Sequence, residues 1–458
     1  MRQPFASTGI ASVILALSLG GCASPPPFTP TVPLPSPVPT LTATPTVALT
    51  PTTLPATEAP GPLLLQTPSR PVTLSMYSAW PPASVDGYYM GELIHRFKQQ
   101  YAYVADVQVS TSLNSAQIGI TIGDPPDVFY VNPGRELLTK WVTAGQMEPL
   151  DDVYSHYGLT QAFPPAVVDL FSSDNHLWSM PFSISRSNVL WYNRKIFAAN
   201  DIRPEDLQTF SGWETAARKL QAGGMTPLAF GSTQPWVSWL LFESVLVGTL
   251  GPEKYAGLWN GTTDWRGPEV RQALQNFEMM LQYANPNHSR TDFEQAYSLF
   301  IRGQAAMFVM GDWMVGAFSN SGFAGYGWTT PPGTSGTFVL WPDGFSLPAH
   351  ARHPEVAKEF LAYLGSRSTQ EFFNRNRGLG AICARTDCDY SQFGSYNRAS
   401  AADFQTGSLV PSIARAMSAS EDWTTGFSGA LRTFLQDRNL GTAQSDLDSA
   451  CRATKICR

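Results

Sequence analysis

A carboxylate and an indole stand side by side in Gly311-Asp312-Trp313, directly after the apolar run Ala305 to Met310. That run has the length and composition of a strand buried in a sheet, so the two side chains leave one strand end together. In open α/β sheets, ligands bind in the crevice outside such ends. Hydrogen bonds to a charged group contribute ~1.5–3 kcal/mol each, against ~1 kcal/mol between neutral groups. A carboxylate beside a flat ring therefore suits a ligand with paired hydroxyls and a weakly apolar C–H face, as a sugar has. The competing role for Asp312 is to cap the following helix. The 13 Trp and 16 Tyr residues supply rings for such recognition, and serve equally well as core filling.

Other chemistries find no support. There is no GxSxG, HExxH, Walker or dinucleotide-binding loop, and the six His are scattered without ligand spacing. Two acids in a sugar-filled cleft could mimic a glycosidase pair at ~5–10 Å, but nothing selects that reading, and no cofactor is called for. A net charge of −6 without a basic run excludes nucleic acid as a partner. Cys383, Cys388, Cys451 and Cys457 form C-x4-C and C-x5-C, which match no zinc pattern. Four cysteines allow three pairings. The close pairs Cys383–Cys388 and Cys451–Cys457 are preferred, in an oxidising exterior and stiffening the C-terminal lobe.

The remaining cysteine points to the compartment. Arg2 gives a positive start, Ile10 to Leu19 is a short apolar run, and Leu19-Gly20-Gly21-Cys22 follows. The run falls far short of the ~20 residues that cross a bilayer, so residues 1–21 read as a signal peptide. The four residues resemble the bacterial lipobox, which implies a lipid on Cys22. Residues 22–70 are rich in Pro and Thr, with Glu58 as an isolated acid among them. Such a stretch builds no core and favours extended conformations. At ~3.1 Å per residue it reaches roughly 140 Å, a tether between a membrane anchor and a folded region.

From Val72 onward, β-type runs alternate with helical patterns, which argues for α/β layers. At 458 residues, two packed lobes are expected. Strands are expected at Val72 to Tyr77, Val107 to Val109, Asp127 to Val131, Asn188 to Tyr192, Pro227 to Phe230 and Ala305 to Met310. Helices are expected at Met90 to Tyr101, from a capping box at Ser211 to Leu220, and over Ser238 to Leu250, Pro268 to Ala284 and Phe293 to Ile301.

Four ordered stretches carry a family likeness: Gly123-Asp124-Pro125-Pro126-Asp127-Val128-Phe129; Trp178-Ser179-Met180-Pro181 with Asn188 to Asn193; Gly303-Gln304-Ala305-Ala306-Met307; and Met310-Gly311-Asp312-Trp313. From Val72 to about Asn439 the chain resembles the extracellular solute-binding proteins of carbohydrate ABC importers, closest to the glucose/galactose-binding subgroup. The resemblance implies a two-lobed α/β fold of maltose-binding-protein type with the ligand in the cleft. It implies a first lobe of 71–182 with 303–345, and a second of 183–302 with 346–458. It implies hinge closure on a small sugar, delivery to the importer's permease subunits, and action as a monomer. A receptor subunit reporting to a signalling system is the alternative.

The same resemblance implies the ligand contacts. Trp80 follows the first strand, Asp86 is a loop acid, Asn132 ends the third strand, and Gly311, Asp312 and Trp313 form the strand-end motif. Trp236 or Trp239 faces the cleft from a helix start. Arg377 stands where close relatives carry Lys, and Ser185 and Pro411 where they carry His. Asp127 is assigned to structure, as a post-proline turn acid.

Overall fold

The expected first strand forms: β1 (Val72–Tyr77) turns Leu74 and Met76 inward and Thr73 outward. The computed structural model describes residues 68–455. Residues 1–21, expected as a signal peptide, Cys22, nearly all of the expected tether, and Cys457 lie outside the described residues. β2 (Val104–Ser110) and β3 (Val128–Val131) flank β1 in parallel. β4 (Met180–Arg186) belongs to the same sheet, whereas β5 (Leu190–Asn193), β6 (Thr226–Ala229), β7 (Ala305–Val309) and β8 (Tyr326–Thr329) make a second one. β9 (Thr337–Pro348) returns to the first sheet, antiparallel to both β3 and β4. The second sheet runs β8-β5-β7-β6. All five residues of β7 are buried, as a strand covered on both faces requires.

Two large apolar cores result among the described residues, beside a small cluster of Cys383, Cys388 and Phe393. One gathers Leu74, Met76, Phe97, Val128 and Phe345 with others. The second gathers Trp191, Trp213, Leu246, Phe277, Phe308 and Trp423 with others. The chain is divided between them differently from expectation. Segment 303–345 does not return whole to the first lobe: β7 pairs with β5 and β6, and Met307, Phe308, Met314 and Phe318 belong to the second core. Nor does 346–458 belong whole to the second lobe. The helices Pro354–Gly365 and Arg367–Asn376 lay Phe360, Leu361 and Phe373 on the first core. Burial decides the matter, since each of these segments has its apolar face against the core named.

Smaller differences have local causes. The helix Phe210–Ala222 is capped by Thr209, whose Oγ1 accepts from the Gly212 amide at 3.1 Å, and not by Ser211. The helix Pro235–Asn260 runs ten residues past Leu250, with a kink at Gly251 (φ 77°) before Pro252. Leu113–Ile122 is a helix of its own. Cys383 and Cys388 are bonded as expected, but Ile382–Cys383 pairs with β4, so this bridge stiffens the first sheet and not the C-terminal lobe. Cys451 is buried and disulfide-bonded, with Cys457 outside the described residues.

The main crossings between cores follow Ile184, Trp328 and Leu409. Buried polar groups tie these crossings together. Asn188 donates from Nδ2 to the Thr337 carbonyl at 3.1 Å and accepts from the Val339 amide at 3.0 Å. The Arg186 guanidinium donates to Asn188 Oδ1 and the Thr337 carbonyl, each at 3.0 Å. Glu243, wholly buried, accepts from Ser187 (3.1 Å), Ser412 (2.8 Å), the Ile413 amide (2.6 Å) and Tyr255 (2.6 Å). Desolvation raises its carboxyl above the usual range despite these donors.

Candidate functional site

Between the cores lies a cavity of about 430 Å³. Five indoles line it: Trp80, Trp236, Trp239, Trp313 and Trp341. Trp80 packs on the first core and the other four on the second. Trp80 is set among Tyr130, Phe182, Phe345 and Phe373, with centroids 5.4–6.2 Å away. Trp236 and Trp239 lie three residues apart in the first turns of one helix, so they share a face. Both line the cavity.

Two acid–base pairs, with Ser185, Leu379 and Ala414, complete the lining. Asp86 sits in the first turn of the helix Val85–Gln100, behind the cap Ser84. Arg377 donates to it at 2.9 Å from one terminal nitrogen and to Ser183 Oγ at 2.9 Å from the other. Its side chain is 3% exposed, and its Nε has no hydrogen-bond partner among the described residues. In the second pair, Asp343 accepts from the Tyr130 hydroxyl, to which Arg415 also donates, and Arg415 stands 3.5 Å from the same carboxylate. Burial pushes the Asp343 carboxyl up, while Arg415, Arg377 and the Tyr130 hydroxyl pull it back. Arg415 and Ala416 both have positive φ, 55° and 53°, a strained conformation for side-chain-bearing residues. Arg415 is held there with its guanidinium 5.0 Å from the Trp341 ring centre. With two cations and two anions paired, the lining offers no unbalanced charge.

Three expected contacts are not in the lining. Asp312 is wholly buried. Its Oδ2 accepts from the Arg186 amide at 2.8 Å, its own amide donates to the Arg186 carbonyl at 2.9 Å, and its carbonyl accepts from Gly380 at 3.1 Å. It locks the end of β7 to the end of β4. Desolvation pushes its carboxyl up to about 7, against the pull of the Arg186 amide, Arg377 and Ser185. Gly311 serves Trp313: a Cβ there would lie 2.1 Å from the Trp313 ring, so glycine lets the indole fold back over the backbone. Asn132 instead donates to Glu136 at 2.7 Å.

A family model for bacterial extracellular solute-binding proteins matches residues 84–371. The chain belongs to that family. This solute-binding protein is 29% identical over 335 residues to an uncharacterized ABC transporter extracellular-binding protein of Pyrococcus horikoshii, covering 72% of this chain and 75% of that one. It is 24% identical over 340 residues to a xylose/arabinose-binding protein of Haloferax volcanii, covering 72% of each. Among solved structures, the bacterial solute receptor AcbH, described as exclusive for β-D-galactopyranose, superposes with a TM-score of 0.73 at 19% identity, over 84% of this chain and 99% of that one. The receptor RafE in complex with raffinose gives 0.68 at 17% identity, over 84% and 100%. The fold is thus the two-lobed α/β fold of these receptors, and the family is one of binding proteins, not enzymes.

Trp341, Asp343 and Arg415 are lining residues of this solute-binding protein that sequence reasoning missed. Trp341 and Asp343 are two apart on β9 and so share a face, opposite Ser185 and Ser183 of β4. The register slips between Asp343 and Gly344, with Phe182 unmatched, a bulge of the kind that re-aims side chains beside binding sites. The Trp-x-Asp alternation was the available signal. Asp127 is structural as expected, accepting from Ser75 and from the His353 amide. Pro411 does not line the cavity; its carbonyl accepts from Tyr255 and Ser418.

Proposed function

We propose that this chain is the sugar-binding component of an ABC importer, capturing a neutral saccharide of glucose or galactose type in the cavity between its two cores. Family membership supports the solute-binding role, and relatives named as sugar-binding proteins support the ligand class. The observation that carries the reading is the lining itself: five indoles with two internally balanced ion pairs. Indoles take the C–H faces of a sugar, and the carboxylates and guanidinia take its hydroxyls. A uronate or an amino sugar would bring a charge that no unpaired group offsets.

Calorimetric titration with glucose, galactose, xylose, glucuronate and glucosamine tests this. Binding of neutral sugars alone is expected. Preference for a charged sugar, or no binding of any sugar or their oligomers, would overturn the reading.

The protein works as a monomer outside the cytoplasm, tethered through lipid on Cys22, and hands its ligand to the permease subunits. The lipobox-like Leu19-Gly20-Gly21-Cys22 and the Pro/Thr-rich stretch support the anchor. Among the described residues no helix is long and apolar enough to cross a membrane. Cys22→Ala is expected to move the protein from the membrane fraction to the medium, and unchanged retention would refute the anchor.

A further inference from the structure

A second cavity of about 410 Å³ adjoins the first, and Arg377 and Leu379 line both. Leu379 packs closely on Gly316, where a Cβ would lie 2.2 Å from its side chain. One side of the second cavity is the start of the helix Val85–Gln100, with Val85, Tyr88 and Tyr89. The other is the helix Met314–Asn320, with Ser319 and Asn320. The first helix belongs to one core and the second to the other, so an occupant would bridge both, as in the first cavity.

Its chemistry continues that of the first. Tyr88 is 65% exposed and Val85 41%, two of the large apolar side chains that the fold leaves in solvent. The Tyr88 ring touches Tyr89 edge-on at 5.1 Å, which leaves a face open. Ser319 and Asn320 make no side-chain hydrogen bonds within the protein among the described residues, and both are exposed. Arg377, almost wholly buried between the two spaces, has its Nε unpartnered. A buried donor without an acceptor costs free energy unless a ligand supplies one. The first cavity gives a parallel argument, because one sugar ring has two faces and five indoles surround the space.

We infer that the natural ligand is a neutral oligosaccharide: one sugar unit occupies the indole-lined cavity, and the chain continues past Arg377 and Leu379 onto Tyr88 and Asn320. The inference rests on the sugar-binding reading and deepens it. Tyr88 offers the stacking surface for the second unit, Ser319 and Asn320 take its hydroxyls, and Arg377 donates from Nε at the junction. No other charged side chain lines the second cavity among the described residues, which fits a neutral extension.

The test compares glucose, galactose and xylose with di- and trisaccharides ending in each, by calorimetry on the whole extracytoplasmic chain. At least one oligosaccharide is expected to bind tenfold or more tightly than its own monosaccharide. Tyr88→Ala and Asn320→Ala change exposed side chains, so folding is not at issue; each is expected to cut that ratio severalfold. Equal affinity for a monosaccharide and its oligomers would overturn the inference and leave the sugar-binding reading intact. A wild-type ratio that neither variant lowers would overturn the placement on Tyr88 and Asn320. If no saccharide binds, both readings fall.

Discussion

At the scale of single residues, Asp312 illustrates how far a strand-end motif can be read. A carboxylate next to an indole looks the same in sequence whether it meets ligand or supports the indole's strand, and only burial separates the two. Here Trp313 faces the cavity, and Asp312 stands behind it, joined to Arg186 and Gly380. Its carboxyl, at about 7 against an ordinary 3.8, binds a proton more tightly folded than unfolded. Its contribution to stability is therefore greatest below about pH 4, falls as pH rises to about 7, and is flat above. Asp312→Asn removes this term, so urea unfolding at pH 4.5 and pH 7.5 should show the variant gaining on the wild type at the higher pH. Parallel behaviour of the two proteins would mean Asp312 does not titrate in that window. Trp341 belongs to the other class, a residue of the cavity lining. Trp341→Ala should weaken sugar binding by about 1.5 kcal/mol, roughly tenfold, because it removes a stacking face and the surface that Arg415 rests on. Titration of the variant with whichever sugar binds tightest checks this, and unchanged affinity would remove Trp341 from the contact surface.

Among the elements, β7 was legible and β9 was not, for physical reasons. Ala305 to Val309 is an unbroken apolar run, and its burial on both faces follows from composition alone. Pro342-Asp343-Gly344 carries turn chemistry, and a proline argues against a central strand. Pairing of Leu340 to Ser346 with β3 and β4 overrides that local preference, while the ends of β9 pair with Ser408–Pro411 and Met147–Glu148. Hence the sequence does not single out Asp343 and Trp341, while Trp80, Asp86, Arg377 and the helix-borne tryptophans, candidates from the sequence, do line the cavity. The division of segments between cores was also out of reach, since an apolar helix face does not name its partner. The helix Pro235–Asn260 shows what such placement achieves. Its Glu243 joins the first crossing at Ser187 to the third at Ser412 and Ile413. Glu243→Ala leaves the buried Ile413 amide and the Ser187 and Ser412 hydroxyls short of an acceptor and should cost more than about 3 kcal/mol of unfolding free energy. Glu243→Gln keeps one acceptor oxygen and should cost less. Equal, small losses in denaturant titrations of both would show that the crossings do not depend on this carboxylate.

For the whole molecule, the cavity matters because its walls belong to different cores. Trp80, Asp86 and Arg377 come with the first, while Trp236, Trp239 and Trp313 come with the second. A ligand held by both walls binds only the folded, two-core arrangement, so its binding free energy adds to the stability of both. At a hundred times its dissociation constant the ligand should contribute ~2.7 kcal/mol. The buried ties among Arg186, Asn188 and Thr337, and between Ser187 and Glu243, couple the cores through their crossings, so the ligand-free chain is expected to melt in one transition that saturating sugar moves upward as a unit. Truncation on either wall should reduce that shift at fixed sugar concentration: Trp80→Ala from the first core, Trp236→Ala from the second. Differential scanning calorimetry with and without sugar distinguishes the outcomes. If Trp80→Ala abolishes the shift and Trp236→Ala leaves it whole, or the reverse, the ligand is held by one core alone, and the cavity between them is not where it is captured.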